Sequence, residues 1–265
     1  MKGHLLTSFR GRGYRWGRNS YTSDSSDPTG IGLSVFRIRP GGKIEVNTAG
    51  REAALIALSG RGFFEAGGCK VKFSRRDWEK DGPSAVHVSA GTKLAVRAVR
   101  ASEIILCSVL NKGSFESRIY PRGRIKPERR GKGILDNAAE RIVCTVSDFK
   151  NGPRGSKMVF GETINLPGKW SSYPPHVHPQ PEIYLYRFKS RDAFGHAELG
   201  EAVFKVRDRD LARITGEKVH CQTAAPGFSM YYFWVIRHLP GRPYKSFRTL
   251  PQYKWALKPG AKPPR

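Results

Sequence analysis

Residues 170–188, "WSSYPPHVHPQPEIYLYRF", give the clearest indication of the fold in this sequence. This stretch carries two histidines one residue apart, His176 and His178, and then a single carboxylate, Glu182, at the head of an aromatic run. In an extended strand the side chains at i and i+2 point to one face, so the two imidazoles are predicted to project together. The segment is therefore expected to present polar donors on one side of a sheet.

Short β-type runs recur along the 265 residues, bounded by glycine, proline, asparagine or aspartate. They lie at 33–39, 53–59, 69–73, 93–99, 103–110, 141–147, 157–164, 182–188, 201–207 and 230–236. Such spacing is typical of a barrel or sandwich. Helical periodicity is scarce, and short helices are expected only around 75–80 and 136–140. The sequence predicts an all-β fold.

The two halves of the chain resemble each other. The segment "PGGKIEVNTAGREAALIALSG" aligns with "PGKWSSYPPHVHPQPEIYLYRF", so that Glu52 corresponds to Glu182. Further on, "HVSAGTKLAVRAV" aligns with "HCQTAAPGFSMYYFWVI", so that His87 corresponds to His220. Two β-barrels of similar build are predicted. Only the second half carries the paired histidines, so a metal is expected in the C-terminal barrel alone.

The predicted donor set consists of His176, His178, Glu182 and the distant His220. Three imidazoles and one carboxylate suit Zn²⁺, Mn²⁺ or Fe²⁺ and leave a coordination position open for water or substrate. A pair of histidines by itself is a weak signal, because a polar cluster at a barrel mouth has the same composition. The combination with a nearby glutamate and a distal histidine favours one divalent metal site.

The formal net charge of +25 is unevenly distributed. Residues 237–265 carry eight basic and no acidic side chains, whereas residues 162–236 carry nine basic and eight acidic ones. A basic surface attracts anions, including nucleic acid, in a salt-dependent way. No aromatic-interleaved RNA-binding motif accompanies the charge, so a solubilising surface is favoured over a nucleic-acid partner.

Targeting signals are not evident in the sequence. No run approaches the length of a membrane span, and the first 19 residues lack the apolar core of a secretory signal. The four cysteines form no CxxC pair and are expected to be reduced thiols. A cytoplasmic protein without a membrane partner is predicted.

The block "GETINLPGKWSSYPPHVHPQPEIYLYRF", with "HCQTAAPGFSMYYFWVI" downstream, resembles the cupin isomerases that act on 5-deoxy-glucuronate in myo-inositol breakdown. A sister family, the isomerase of a deoxy-hexosulose uronate in pectin breakdown, shares the fold and the metal set. The resemblance implies a bicupin built from two double-stranded β-helix (jelly-roll) barrels. It implies a degenerate N-terminal cupin at 1–128, a metal-binding cupin at 129–247 and a basic tail at 248–265.

By this resemblance the second barrel holds a divalent metal through His176, His178, Glu182 and His220. The implied reaction interconverts an aldose and a ketose, turning 5-deoxy-glucuronate into 5-dehydro-2-deoxy-gluconate. The implied partner is a small sugar acid, and a homo-oligomer is expected by analogy with cupins that associate edge to edge.

Three tyrosines are candidates for catalysis. Strand alternation places Tyr184 and Tyr186 on the face of Glu182, and Tyr232 is expected on a neighbouring strand. A phenol can relay a proton or hydrogen-bond the sugar. The alternative is a barrel-core role with a satisfied hydroxyl.

The carboxylate of a sugar acid favours a cationic partner, and arginine above lysine. Arg187 and Lys169 are the candidates, although alternation turns Arg187 away from Glu182 unless a bulge intervenes. Trp170 and Tyr173 are expected to pack at the entrance or at a subunit contact.

Other functions stay open at the level of the sequence. One is a cupin that binds a ligand without turning it over, and another is a nucleic-acid-binding β protein driven by the basic ends. Oxygen-dependent cleavage at Fe²⁺ uses similar ligands, so the spacing of the ligands does not distinguish that reaction from isomerisation.

Overall fold

The computed structural model describes residues 6–260, 262 and 264, and strands dominate its regular structure. The N-terminal barrel contains β2 (Gly17–Thr22), β3 (Ile31–Ile38), β4 (Lys43–Val46), β5 (Arg51–Ala66), β6 (Cys69–Arg75), β7 (Ala85–Val88), β8 (Leu94–Leu110) and β9 (Arg118–Tyr120). The C-terminal barrel contains β1 (Leu6–Ser8), β10 (Glu128–Arg130), β11 (Arg141–Ser147), β12 (Met158–Asn165), β13 (Trp170–Ser171), β14 (His176–Val177), β15 (Glu182–Arg187), β16 (Gly195–Leu199), β17 (Ala202–Val206), β18 (Asp210–Ile214), β19 (Gln222–Ala224), β20 (Met230–Arg237) and β21 (Arg248–Thr249). Within the described residues, two 3₁₀ helices span Leu135–Asn137 and Pro251–Leu257. The predicted all-β class is confirmed.

The N-terminal barrel is one folded-over sheet. Its strand order is β2-β3-β8-β5-β7-β9, with β4 paired to β8 and β6 paired to β5. Strands β5 and β8 are long enough to bend across the barrel, and their pairing shifts register between Ala57 and Gly62. Gly60 lies at this bend with φ +102°, and a Cβ there would sit 2.1 Å from the hydroxyl oxygen of Ser102. The bend therefore requires glycine.

The C-terminal barrel places a seven-stranded sheet against a four-stranded one. The larger sheet has the order β1-β18-β15-β20-β12-β11-β10, and the smaller has β13-β19-β16-β17. Along β15, Tyr184 and Tyr186 belong to the barrel interior. Ile183 and Leu185 belong instead to the core between the barrels. This period of two is the pattern that the sequence predicts for a strand buried on both faces.

The two barrels pack against each other through a shared apolar core and a buried ion pair. The core draws on strands of both large sheets, among them β3 and β20. The guanidinium of Arg75 donates to both carboxylate oxygens of Glu162, at 2.8 and 2.6 Å, and each side chain is almost fully buried. The Tyr231 hydroxyl donates to the same carboxylate at 3.0 Å. The interface therefore combines apolar packing with a buried, paired charge.

Strand pairing supports the predicted duplication. Glu52 lies opposite Val109 in β8, the last long strand of its barrel, as Glu182 lies opposite Ile236 in β20. In both barrels that last strand also pairs with the first long one, β3 or β12. His87 lies 2.7 Å from Glu52, so the two residues aligned with Glu182 and His220 also meet.

The structure departs from the predicted helices. The helix expected at 75–80 is wrong: Arg75 ends β6, and a turn follows in which Asp77 O accepts from the amides of Lys80 and Asp81. The Asp81 carboxylate binds two backbone amides there, a bonding mode that competes with helix formation. The element expected at 136–140 is a single 3₁₀ turn, Leu135–Asn137.

The barrel boundaries are interwoven. Strand β1 pairs with β18, so the start of the predicted 1–128 unit lies in the C-terminal sheet. The predicted boundary after residue 128 falls within β10. The predicted tail at 248–265 begins with β21, which pairs with β14, so its first residues belong to the barrel. Residues 1–5, 261, 263 and 265 lie outside the described residues.

The described helices are short, and none is long and apolar enough to cross a membrane. All four cysteines are free thiols: Cys69 is exposed, and Cys107, Cys144 and Cys221 are buried.

Candidate metal centre

The four predicted donors come from two separate regions of the C-terminal barrel. His176 opens β14 and His178 follows it, while Glu182 opens β15. His220 precedes β19. All four are buried, and all four line one cavity. The folded chain therefore brings together the whole set that the sequence singled out.

Each imidazole is fixed through its Nδ1 atom by a backbone carbonyl two residues away. His176 Nδ1 bonds Pro174 O at 2.9 Å, and His220 Nδ1 bonds Lys218 O at 2.9 Å. His178 Nδ1 bonds Gln180 O at 3.0 Å. A carbonyl oxygen only accepts, so each Nδ1 carries a proton, and in the neutral ring Nε2 is then the atom that keeps its lone pair. This is how metal-binding histidines are oriented in proteins.

Three donor atoms converge closely. Ligand atoms of His178, Glu182 and His220 all lie within 4.8 Å of one another. Glu182 Oε2 is 3.2 Å from His178 Nε2 and 3.5 Å from His220 Nε2. His176 stands beside this trio, with its ring centroid 4.9 Å from that of His220. A buried cluster of three imidazoles and a carboxylate fits a divalent transition metal by its chemistry.

Burial keeps two of the histidines in the ligand form. It lowers the pKa of His176 to about 4, because the charged imidazolium is poorly solvated there, and the Pro174 carbonyl offsets this only in part. Burial also lowers the pKa of His220 to about 4, against the opposing effect of the Glu182 carboxylate. Both rings are therefore neutral at pH 7 and available to a cation.

The cavity in front of these donors has a volume of about 170 Å³. This is below the roughly 300–1,000 Å³ of sites that take drug-sized ligands, so it suits a small polar molecule. Its other lining residues are Arg130, Arg141, Val143, Thr163, Ser172, Tyr173, Tyr184, Tyr232, Trp234, Ile236, Tyr244 and Phe247.

A family model described as the KduI/IolB family matches residues 13–256, which is most of the chain. The chain belongs to the KduI/IolB family. The match spans both barrels and includes all four predicted donors.

Relatives of this family member agree with that assignment. A protein of Geobacillus kaustophilus named 5-deoxy-glucuronate isomerase is 27% identical over 86% of each chain. The crystal structure of an IolB-like protein from Salmonella typhimurium is 20% identical, with a TM-score of 0.82 over 96% of this chain and 99% of that one. A cupin 2 conserved barrel domain protein from Leptotrichia buccalis is 11% identical, with a TM-score of 0.54 over 88% of this chain and 95% of that one. The predicted cupin fold and the predicted isomerase class are confirmed.

In this KduI/IolB family member the three candidate tyrosines occupy different places. The hydroxyls of Tyr184 and Ser172 lie 3.2 Å apart, and Tyr232 donates to Ser171 Oγ at 2.8 Å. Both of these tyrosines line the cavity. Tyr186 is fully buried and donates to Gln222 Oε1 at 2.7 Å, and it does not line the cavity. Its hydroxyl is a satisfied core group.

The two predicted carboxylate-binding residues lie away from the cavity. Arg187 faces the other barrel, where it donates to Glu103 Oε2 and to Asp208 Oδ1, each at 2.7 Å. Lys169 lies in the turn before β13, and its carbonyl accepts from the amide of Ala224. The expectation that Arg187 and Lys169 lie in the site is therefore wrong. Strand β15 has no bulge, so regular alternation turns Arg187 away from the cavity.

Several cavity residues escaped the sequence reasoning, and four of them carry charged or aromatic side chains near the donors. Arg130 and Arg141 come from β10 and β11, and Tyr244 and Phe247 come from the segment after β20. The ring centroids of Phe247 and His176 are 4.1 Å apart, and those of Tyr244 and His178 are 5.0 Å apart. Alternation along β11 does place Arg141 and Val143 on one face, but the sequence does not say which face meets the cavity.

Proposed function

We propose that the chain isomerises a deoxy-uronate between its aldose and ketose forms, with 5-deoxy-D-glucuronate giving 5-dehydro-2-deoxy-D-gluconate. The observation that carries the proposal is the convergence of His178, Glu182 and His220, with His176 beside them, in one small buried cavity. The name of the Geobacillus kaustophilus relative supports this substrate over the related uronate of pectin breakdown.

In this proposal His176, His178, Glu182 and His220 hold one divalent cation, Zn²⁺, Mn²⁺ or Fe²⁺. When bound, the cation supplies Lewis-acid stabilisation to sugar oxygens that gain negative charge as a proton moves between adjacent carbons. The protein's own contribution begins with orientation. The carbonyls of Pro174, Lys218 and Gln180 fix the three rings, so little reorganisation is needed when a ligand arrives.

Two phenols supply hydrogen bonds in the proposed reaction. Burial raises the pKa of Tyr184 well above its usual value, and the charge of Glu182 raises it further. Burial raises the pKa of Tyr232 as well, although its hydrogen bonds to Ser171 and Thr163 oppose the shift. Both hydroxyls therefore keep their protons at neutral pH. Their role is to donate to substrate oxygens and not to abstract the proton from carbon.

The decisive experiment incubates the metal-loaded protein with 5-deoxy-D-glucuronate and follows the ketose product by NMR. The variants His176→Ala and His220→Ala are expected to lose at least about 100-fold in kcat/KM and to lose bound metal, because each removes one donor. The exposed His196 on β16 provides the matched control, so His196→Ala is expected to retain both. Metal content is measured on the same samples by elemental analysis.

Three results separate this proposal from its rivals. Full turnover by His220→Ala would contradict the ligand assignment. Oxygen consumption without ketose formation would indicate oxidative cleavage instead. Faster turnover of the pectin-derived deoxy-hexosulose uronate than of 5-deoxy-D-glucuronate would keep the reaction type and change the substrate.

A further inference from the structure

The guanidinium of Arg141 lies in the cavity without a counter-ion. Arg141 opens β11, and alternation places it on the same face as Val143, toward the cavity. Its Nη1 donates to the carbonyl of Ala139 at 2.8 Å. Across residues 6–260, 262 and 264, no carboxylate oxygen lies within 4.0 Å of its nitrogens. Elsewhere the buried Arg75 and the largely buried Arg187 are both paired with carboxylates.

An arginine in this position is poorly solvated. Burial lowers the pKa of Arg141, the neighbouring phenol of Tyr232 opposes that shift, and the positive charge of Arg130 adds to it. Arg141 is partly buried, and a cation that is partly withdrawn from water and lacks a counter-ion is unfavourable. An anion that enters the cavity relieves this, and a carboxylate matches the planar guanidinium through two parallel hydrogen bonds.

A polar side chain next to Arg141, that of Asn165, has no hydrogen-bond partner within the described residues. Asn165 lies directly opposite Arg141 in the β11–β12 register, so the two side chains project from the same face. Asn165 is fully buried, and neither its amide oxygen nor its amide nitrogen has a hydrogen-bond partner in the described part of the chain. Buried amides are normally satisfied, so Asn165 adds an unused polar group next to Arg141, although it does not itself line the cavity.

The position of Arg141 also relates it to the metal centre. Arg141 lines the same cavity of about 170 Å³ as the four donors, and its charge contributes to the lowered pKa of His176. A small molecule is therefore able to contact Arg141 with one end and the histidine cluster with the other.

We propose that Arg141 is the specificity-determining residue that binds the substrate's carboxylate through two of its guanidinium nitrogens. The aldehyde end of the sugar then faces His176, His178, Glu182 and His220. This inference rests on the proposed function. It assigns to Arg141 the role for which the sequence favoured Arg187 and Lys169.

The test compares Arg141→Met with Arg129→Met, which removes an exposed arginine paired with Glu140 on the neighbouring strand. Each protein is assayed on 5-deoxy-D-glucuronate and on the neutral sugar that carries CH₂OH in place of the carboxylate. Arg141→Met is expected to raise KM for the acid on the order of 100-fold, because the contact between the guanidinium and the carboxylate is lost. The KM for the neutral sugar is expected to stay unchanged. Arg129→Met is expected to match the wild type on both.

Equal changes of KM for the acid and the neutral sugar, or no change for the acid, would overturn the role of Arg141 while leaving the proposed isomerase intact. If Arg141→Met does not fold, Arg141→Lys is judged by the same criterion, since it keeps the charge and loses the two-point geometry. Thermal unfolding and metal content establish that each variant is intact.

A second measurement separates failure of this inference from failure of the proposed function. D-Glucuronate is titrated into the wild type, Arg141→Met and Arg129→Met by calorimetry. If the wild type isomerises neither sugar but binds D-glucuronate at least 30-fold more tightly than Arg141→Met, the carboxylate site stands and the isomerase proposal falls. Equal affinity of wild type and Arg141→Met would reject the carboxylate site.

Discussion

Glu52 and Glu182 occupy corresponding positions in the two barrels, but their neighbours give them different roles. Glu52 is fully buried and lies 2.7 Å from His87 Nε2. It also accepts from Ser156 Oγ at 2.5 Å and from Asn111 Nδ2 at 2.8 Å. In the second barrel the corresponding Glu182 faces imidazole nitrogens that keep their lone pairs. Glu52 therefore ties the chain before β12 to the first barrel, whereas Glu182 lies against the imidazoles of His178 and His220.

We predict that Glu52→Gln lowers the free energy of unfolding by about 2–4 kcal/mol at pH 7, because buried donors lose their acceptor. Burial alone would raise the pKa of Glu52, but the hydrogen bonds from His87, Ser156 and Asn111 and the His87 charge lower it below its ordinary 4.5. A carboxyl whose folded-state pKa is lowered contributes its stability above pH 4.5, and this contribution is lost as the pH falls through the folded-state pKa.

The difference in unfolding free energy between the wild type and Glu52→Gln is therefore expected to shrink on acidification. Urea denaturation at several pH values measures it. The exposed Glu45→Gln serves as the control and is expected to stay within about 0.5 kcal/mol of the wild type. A difference that stays constant down to pH 3 would contradict this account of Glu52.

At the scale of elements, the segment after β20 completes the site. Strand β21 pairs with β14, where Thr249 lies opposite His176. The amide of Leu250 donates to Pro175 O at 3.0 Å. Phe247 and Tyr244 then cover the imidazoles of the two paired histidines. The two-residue strand β14 has β21 as its partner in this two-stranded sheet, so the tail stabilises the segment that carries the donors.

We predict that removal of residues 244–265 speeds metal loss to a chelator at least about 10-fold, because the aromatic cover and the β21 pairing are both lost. Amide hydrogen exchange in residues 174–178 is expected to accelerate in parallel, a readout that does not depend on metal. Removal of residues 258–265 alone keeps β21 and is expected to change neither. Unchanged exchange in the longer truncation would show that β14 is held by other contacts.

At the scale of the molecule, the barrels are locked together by charge as well as by apolar packing. Arg75 and Glu162 form a buried pair across the interface, and Arg213 pairs with Asp27 at 2.7 Å. The chain has an excess of basic side chains, with a formal net charge of +25. Homo-oligomer formation stays a prediction, as does a solubilising surface rather than a nucleic-acid partner as the role of the basic charge. Both are open to measurement by light scattering and by salt-dependent binding assays.

We predict that Arg75→Met destabilises the protein by about 3–5 kcal/mol, because it leaves the buried carboxylate of Glu162 without its cation. The double variant Arg75→Met/Glu162→Leu is expected to recover most of that loss, since the unpaired charge is removed. Denaturant unfolding of both variants and of the wild type gives the comparison. Equal instability of the single and double variants would show that shape, not charge, dominates this contact.

From the sequence alone, most of the long strands, the similarity of the two halves and the four candidate donors could be predicted. Strand alternation is a local property with a period of two, so HxH and the face shared by Glu182, Tyr184 and Tyr186 can be read directly. The same alternation correctly turned Arg187 away from the donors. Composition and the β-type runs were sufficient for the fold class.

Only the tertiary structure decided which other residues meet those donors. Arg141 reaches the cavity because β10 and β11 extend the edge of the seven-stranded sheet, and Phe247 reaches His176 because β21 returns to pair with β14. Such contacts join residues far apart in the chain, and they depend on sheet order and register. Local periodicity fixes the face of a side chain but not the partner that the fold brings to it.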